Sequence, residues 1–164
     1  MLSPGADLAL SLLGGFRILV DAAISELENR GFADVRPVHD FAMRAIAAGG
    51  DSASELGRRL SISKQSAART IAVLEERGYV ERVPDPGDAR RKRLQVTALG
   101  NEVMQTGEKI FEGLRENWAR TLGETEFERF ERDLRTLVGA QPVRFDTPGW
   151  MARDGEPGTP RRSS

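Results

Sequence analysis

The stretch between residues 52 and 97 constrains the fold more than any other part of this 164-residue chain. Ser52 opens a short amphipathic segment, and "SASE" has the form of a capping box, in which a serine and a glutamate three residues later cap a helix N-terminus. A brief turn, "LSIS", leads to Ser63, a natural N-cap, after which apolar residues recur at helical spacing until Gly78. The pattern predicts two helices joined by a tight turn.

Two short runs with a period of two follow this helix pair. "YVERV" places Tyr79, Glu81 and Val83 on one predicted face, and "RLQVT" places Leu94 and Val96 together. Alternation of this kind is typical of β-strands, so we expect a hairpin with a long basic tip. A helix pair followed by a two-stranded hairpin is a winged helix-turn-helix.

Helical periodicity also predicts flanking helices on both sides of this unit. One is expected from Asp7 to Arg30, and another begins near Pro37. Two more follow Thr97, which can cap the first of them, and are separated at Gly123. The expected fold class is therefore mainly α with a small β-hairpin wing. From Pro142 onward the chain is rich in proline, glycine and charge, which predicts a disordered tail.

The composition argues against an enzyme. The chain has no cysteine, which excludes disulfides, thiol catalysis and cysteine-ligated zinc. His39 is the single histidine, and because adjacent helical residues do not face each other, Asp40 does not support a catalytic relay with it. One histidine with scattered acids is a poor metal site, and no phosphate-binding glycine loop is present. We expect no cofactor.

The same reasoning predicts a cytoplasmic protein. No apolar run approaches the roughly 18 residues that cross a bilayer, and the N-terminus lacks the basic flank and compact apolar core of a signal peptide.

Charge is concentrated in the hairpin and the helix before it. The whole chain has a formal net charge of -1, whereas residues 63–93 contain eight cations and five acids. A positive cluster beside a candidate recognition helix is typical of phosphate binding. The candidate wing residues that contact DNA are Asp88, Arg90, Arg91, Lys92 and Arg93.

The second helix of the pair has a face suited to a DNA groove. Its core-facing stripe is predicted at Ala67, Thr70, Ile71 and Leu74, which leaves small and donor-rich side chains opposite. Such a face can enter a major groove about 12 Å wide, where glutamine pairs with adenine and lysine or arginine with guanine. An ordinary solvated helix surface is the alternative. The candidate recognition residues are Ser63, Lys64, Gln65, Ser66, Ala68 and Arg69.

These residues resemble the MarR family of winged-helix transcriptional regulators. The resemblance rests on the wing, Asp88-Ala89-Arg90 followed by Arg91-Lys92-Arg93, Leu94-Gln95-Val96-Thr97 and Gly100, and on the helix pair before it. It implies a homodimeric repressor that reads a pseudopalindromic operator in double-stranded DNA, with Arg90 in the minor groove and Asp88 orienting it. Half-sites would lie about 34–36 Å apart. The implied organisation is an N-terminal dimerisation helix (1–34), a DNA-binding lobe (35–99), C-terminal dimerisation helices (100–139) and a flexible tail (140–164).

The resemblance also implies a small aromatic or lipophilic effector, bound between the dimer helices and the DNA-binding lobe. Its expected pocket residues are Phe16, Arg17, His39, Met43, Phe111 and Trp118. The alternative function is a winged-helix protein-interaction module whose basic wing binds an acidic partner. The recognition-helix face separates the two, because small donors are needed for groove entry and not for an acidic partner.

Overall fold

The computed structural model describes residues 3–139, which form six helices and one hairpin. The elements are α1 (Pro4–Asn29), α2 (Pro37–Ala47), α3 (Ala53–Leu60), α4 (Lys64–Glu76), β1 (Val80–Asp85), β2 (Asp88–Val96), α5 (Ala98–Leu122) and α6 (Glu124–Val138). This order confirms the expected fold class, mainly α with a two-stranded wing. The predicted tail lies outside the described residues.

Side-chain caps begin the helices that surround the wing. Ser52 Oγ accepts a hydrogen bond from the Glu55 N–H at 3.2 Å, and Ser63 Oγ accepts one from the Ser66 N–H at 3.0 Å. Thr97 caps α5 in the same way. These three N-caps were predicted from the sequence, and each satisfies a backbone donor that the first helical turn leaves free. Ser61 ends α3 with a φ of 54°, so a non-glycine residue makes the turn in the left-handed region.

Helix α1 begins earlier than the expected Asp7. Ser3 is its N-cap, accepting a hydrogen bond from the Ala6 N–H at 3.3 Å, and Pro4 suits the first helical position. The helix continues through Gly14 and Gly15 without a break. A Cβ atom built on Gly15 would lie 3.3 Å from the Trp118 ring, so glycine lets α1 approach α5 closely.

Helix α1 is also more apolar than expected. It contains an 18-residue window of mean hydropathy 1.7, of which 6% is buried. By length and composition alone it is able to span a bilayer, so the expectation that no segment is that apolar is wrong. The reason is that Arg17 and Asp21 are isolated charges within a long apolar stretch. Helices that pack against other protein helices can be equally long and apolar.

The core lies where α2, α3, α4 and α5 meet the base of the hairpin. Its most completely buried large side chains are Met43, Leu56, Ile71, Leu74 and Val103. Burying such side chains stabilises the fold by about 1.5–3 kcal/mol each. This common core fixes α4 against the helices on either side of it.

The hairpin joins this core at its base. Leu94 and Val96 of β2 are buried together as expected, but β1 does not show the predicted alternation. Tyr79 and Val80 are both buried, and Glu81 is exposed. The predicted face fails because Tyr79 precedes the strand and belongs to the turn that leaves α4.

Candidate nucleic-acid interface

Helix α4 presents the predicted face to solvent. Ala67, Ile71 and Leu74 are buried against the core, as their spacing indicates. The six candidate recognition residues are all exposed: Ser63, Lys64, Gln65, Ser66, Ala68 and Arg69. The surface they form starts at the N-terminal end of α4.

The N-terminal turn of α4 favours anions. It contains no acidic residue, and the helix dipole places partial positive charge at this end. Helix N-termini with free N–H groups are a common contact for phosphate oxygens. The surface therefore combines groove-compatible size, hydrogen-bond donors and positive potential.

The turn before α4 is tightly built. A Cβ atom on Gly57 would lie 2.9 Å from the Ile62 carbonyl oxygen, so only glycine fits without displacing the turn. The Ile62 N–H donates back to the Gly57 carbonyl at 2.9 Å. This close approach fixes the angle between α3 and α4.

The wing contains a bulge that the sequence did not predict. The strands pair regularly from Val80–Val96 to Pro84–Lys92, and the next pair is Asp85–Asp88. Ala89, Arg90 and Arg91 therefore lie opposite no residue of β1. Extra residues in one strand bend it outward and re-aim its side chains, so the bulge projects two exposed arginines from the hairpin.

Asp88 shapes this bulge through the backbone. Its Oδ1 accepts a hydrogen bond from the Arg90 N–H at 3.0 Å, and Asp85 Oδ1 accepts one from the Gly87 N–H at 2.7 Å. The resemblance implies that Asp88 orients Arg90, and here it holds the main chain of that residue. Lys92 is exposed, and Arg93 is half-buried.

Two ion pairs hold the C-terminal end of α4. Arg77 Nη2 lies 3.0 Å from Asp34 Oδ2, between α1 and α2, and Arg77 Nη1 donates to the Asp34 carbonyl at 2.7 Å. Glu75 lies 2.8 Å from Arg82 on β1. Sequence reasoning missed the first pair, because its partners are 43 positions apart and no local pattern links them.

Asp34 is shared between two arginines. Arg36 Nε donates to Asp34 Oδ1 at 3.1 Å. The hydrogen bond from Arg36, together with the one from Arg77, lowers the pKa of the Asp34 carboxyl, and partial burial opposes this effect. Asp34 has a φ of 54°, a left-handed conformation that aspartate and asparagine tolerate better than most residues.

His39 lies in the interior beside this cluster. It is 6% exposed, and its Nδ1 accepts a hydrogen bond from the Arg36 N–H at 3.1 Å, which caps α2. Burial lowers the pKa of His39 from 6.5 to about 4, with further lowering by Arg77 and Arg36 and opposition from Asp34. The imidazole is therefore neutral at physiological pH.

The six expected effector residues are not brought together in one cavity. Phe111 and Trp118 line a cavity of about 760 Å³ between α1, α5 and α6. Phe16 and Arg17 are exposed on α1, whereas Met43 is fully buried in the core. His39 is interior, and its Nδ1 accepts the hydrogen bond that caps α2.

A second, smaller cavity lies between α1, α2 and α5. Its volume is about 50 Å³, and Phe111, Arg36 and Arg44 are among its lining residues. Arg44 also bridges α2 and α5, because its guanidinium lies 2.6 Å from Glu108 and 2.7 Å from Asp40. Within residues 3–139 there is no group of three or more histidines or acids that could hold a metal ion.

Part of the chain is similar in sequence to known proteins. Residues 41–91, which run from α2 into the wing, match the model of the MarR family. The HTH-type transcriptional regulator BilQ of Clostridioides difficile (strain CD3) is 28% identical over 86 residues. That match covers 52% of this chain and 58% of BilQ, so the chain matches a little over half the length of its curated relative.

Solved structures share the fold over most of the chain. FabT of Streptococcus pneumoniae in complex with DNA has a TM-score of 0.66 at 19% identity, covering 81% of this chain and 94% of FabT. YusO of Bacillus subtilis has a TM-score of 0.64 at 19% identity, covering 85% of this chain and 100% of YusO. Likeness at this identity establishes the winged-helix architecture and the flanking helices.

Proposed function

We propose that this chain is a transcriptional regulator of the MarR family, whose model residues 41–91 match, and that it acts as a homodimeric repressor released from its DNA operator by a small molecule. One observation carries the proposal. The exposed, acid-free N-terminal face of α4 and the arginine bulge of the wing belong to one lobe built on one core.

Each part of that lobe has a role in the proposed complex. Helix α4 enters the major groove, where Gln65 and Lys64 read base edges, because their side chains are exposed and point away from the core. Arg90 enters the adjacent minor groove, and Arg91, Lys92 and Arg93 neutralise phosphates. The solved FabT structure contains DNA, which supports this use of the fold.

Dimerisation is proposed from the apolar surface of the flanking helices. Leu8 and Ile18 of α1 are 60% and 61% exposed, and Leu137 of α6 is 84% exposed. Large apolar side chains left exposed along helices mark a candidate interface. We propose that a second copy of the chain covers this surface. The two α4 helices of the dimer would then match two half-sites of a pseudopalindromic operator, about one helical turn apart. A cytoplasmic location is part of the same proposal.

The larger cavity is the proposed effector site. Its volume of about 760 Å³ falls within the range of about 300–1,000 Å³ found for small-molecule sites. Phe111, Trp118 and Phe127 give it an aromatic lining, and Lys109, which also lines it, would be the cation for a carboxylate. The effector would favour a dimer form that does not fit the operator. Absence of heat in calorimetry with a panel of aromatic acids would contradict this assignment.

Selection of bound fragments from genomic DNA, followed by fluorescence anisotropy with excess random competitor, tests the function. We expect competitor-resistant binding with a steep salt dependence. Arg90→Ala should weaken operator binding by about 1–3 kcal/mol while the dimer persists. Arg129→Ala is the matched control, because it removes the same charge from α6, where the side chain is 57% exposed.

Two results would contradict the proposal. Unchanged operator affinity in Arg90→Ala overturns the role of the wing. Binding that random DNA competes away equally, together with insensitivity to Gln65→Ala, favours the alternative of an acidic protein partner.

A further inference from the structure

The clamp formed by Asp34, Arg36 and Arg77 joins two parts of the molecule that the proposed function assigns different tasks. Asp34 and Arg36 lie between α1, a proposed dimerisation helix, and α2. Arg77 is the C-cap of α4, the proposed reading helix. A single carboxylate, held by both arginines, therefore connects the dimer framework to the DNA-reading element.

The geometry of the clamp is specific rather than a loose surface pairing. Arg77 uses both terminal nitrogens, one on the Asp34 carbonyl at 2.7 Å and one on its carboxylate at 3.0 Å. A planar guanidinium bound at two points fixes orientation as well as distance. Asp34 reaches both bonds in the left-handed conformation, with a φ of 54°, so the local backbone is shaped to this contact.

The orientation of α4 has a direct consequence for operator choice. In a two-fold symmetric complex, the two reading helices must match the separation and rotation of two half-sites along the duplex. A change of one base pair in the spacer moves a half-site by about 3.4 Å and also rotates it. Tolerance of that change depends on how rigidly α4 is held to the dimer framework.

We propose that Asp34 and Arg77 are positioning residues that set the half-site spacing the dimer accepts, by fixing α4 to the α1–α2 connection. This inference rests on the proposed function, since it needs a dimer that binds paired half-sites. The clamp touches no base. It acts through α4, whose exposed face makes the contacts.

A second ion pair on the same helix end provides a matched control. Glu75, two residues before Arg77, pairs with Arg82 at 2.8 Å, but Arg82 belongs to β1 and therefore to the same lobe as α4. Loss of this pair leaves the connection to α1 unchanged. Both ion pairs are partly exposed, with exposed side-chain fractions of 25% and 48% for Arg77 and Asp34 and of 48% and 31% for Arg82 and Glu75.

The test measures binding of the full chain to the selected operator and to operators with one base pair added to or removed from the spacer. Asp34→Asn removes the charge and keeps a residue that tolerates the left-handed backbone. We expect it to reduce the preference for native spacing by about fivefold, roughly 1 kcal/mol, with random-DNA affinity and dimerisation unchanged. Arg77→Lys should be intermediate, because an ammonium does not reproduce the planar two-point contact.

Glu75→Gln should keep the full spacing preference. The inference is overturned if Asp34→Asn and Arg77→Lys discriminate spacers as the wild type does, or if Glu75→Gln relaxes the preference as much as they do. Melting temperatures identify any variant that fails to fold, and the milder Arg77→Lys then decides. A wild type that selects no DNA overturns the proposed function first, so the two failures are distinguishable.

Discussion

His39 makes the stability of this protein depend on pH in a way that one substitution isolates. The imidazole is 6% exposed, and its Nδ1 accepts the hydrogen bond that caps α2. Protonation turns that acceptor into a donor and places a cation beside Arg77 and Arg36, which the Asp34 carboxylate opposes. The folded state therefore resists protonation of His39 more strongly than the unfolded chain does.

The direction and magnitude of this pH effect on stability follow from the pKa of His39 in the unfolded and folded states. The pKa falls from 6.5 in the unfolded chain to about 4 in the folded protein, so burial of the neutral form is fully favourable above about pH 6.5. As the pH falls from there to about 4, the unfolded state binds a proton that the folded state refuses, and stability is lost. The lowering corresponds to about 3 kcal/mol, most of which is lost by about pH 4.5.

His39→Gln is the matched comparison, because glutamine at this position accepts the same capping hydrogen bond and does not titrate. Urea unfolding at fixed protein concentration, from about pH 7.5 to about pH 4.5, gives the free energy of unfolding of both proteins. Carboxylates titrate in both, so the difference between the two curves reports His39. We expect the wild type to lose about 2–3 kcal/mol relative to the variant. Parallel curves would refute the reasoning.

Two further predictions concern the wing and the helix that packs against its base. Lys92→Ala should weaken binding to all DNA sequences about equally and reduce the salt slope by about one unit, since an exposed lysine contacts phosphate rather than bases; selective loss at one operator position in anisotropy would contradict this. Gly100→Ala should destabilise the protein by more than about 2 kcal/mol, because the added Cβ would clash with the Tyr79 carbonyl oxygen and lie 2.7 Å from Val96. An unchanged melting temperature would show that the hairpin base can shift.

The sequence predicts local structure well and long-range contacts poorly. The N-caps at Ser63 and Thr97 and the buried stripe of α4 follow from short-range chemistry, so periodicity and capping residues were sufficient to locate them. The start of α1 was placed late, because the Ser3–Pro4 signal precedes the first apolar residues. Capping residues and buried helix faces could therefore be predicted from the sequence, whereas the boundaries of the elements could be predicted only approximately.

The candidate site shows the same difference between local features, which were predicted, and long-range contacts, which were not. The exposed face of α4 is a local property and was predicted. The Asp34–Arg77 contact depends on how α2 packs against α4, and nothing in either segment alone indicates it. The effector residues were chosen for chemistry without knowledge of packing, and packing buries Met43 completely.

The bulge in β2 has an evolutionary consequence. In a regular strand pair, a gain or loss of one residue turns every later side chain to the opposite face. Here Ala89, Arg90 and Arg91 stand outside the ladder, between the Asp85–Asp88 pair and the regular register below it. The loop can therefore lengthen, shorten or exchange its cations while Leu94 stays in the core. If the wing contacts DNA as proposed, new DNA preferences can arise at this tip by small insertions and deletions, without a compensating change in the hairpin base.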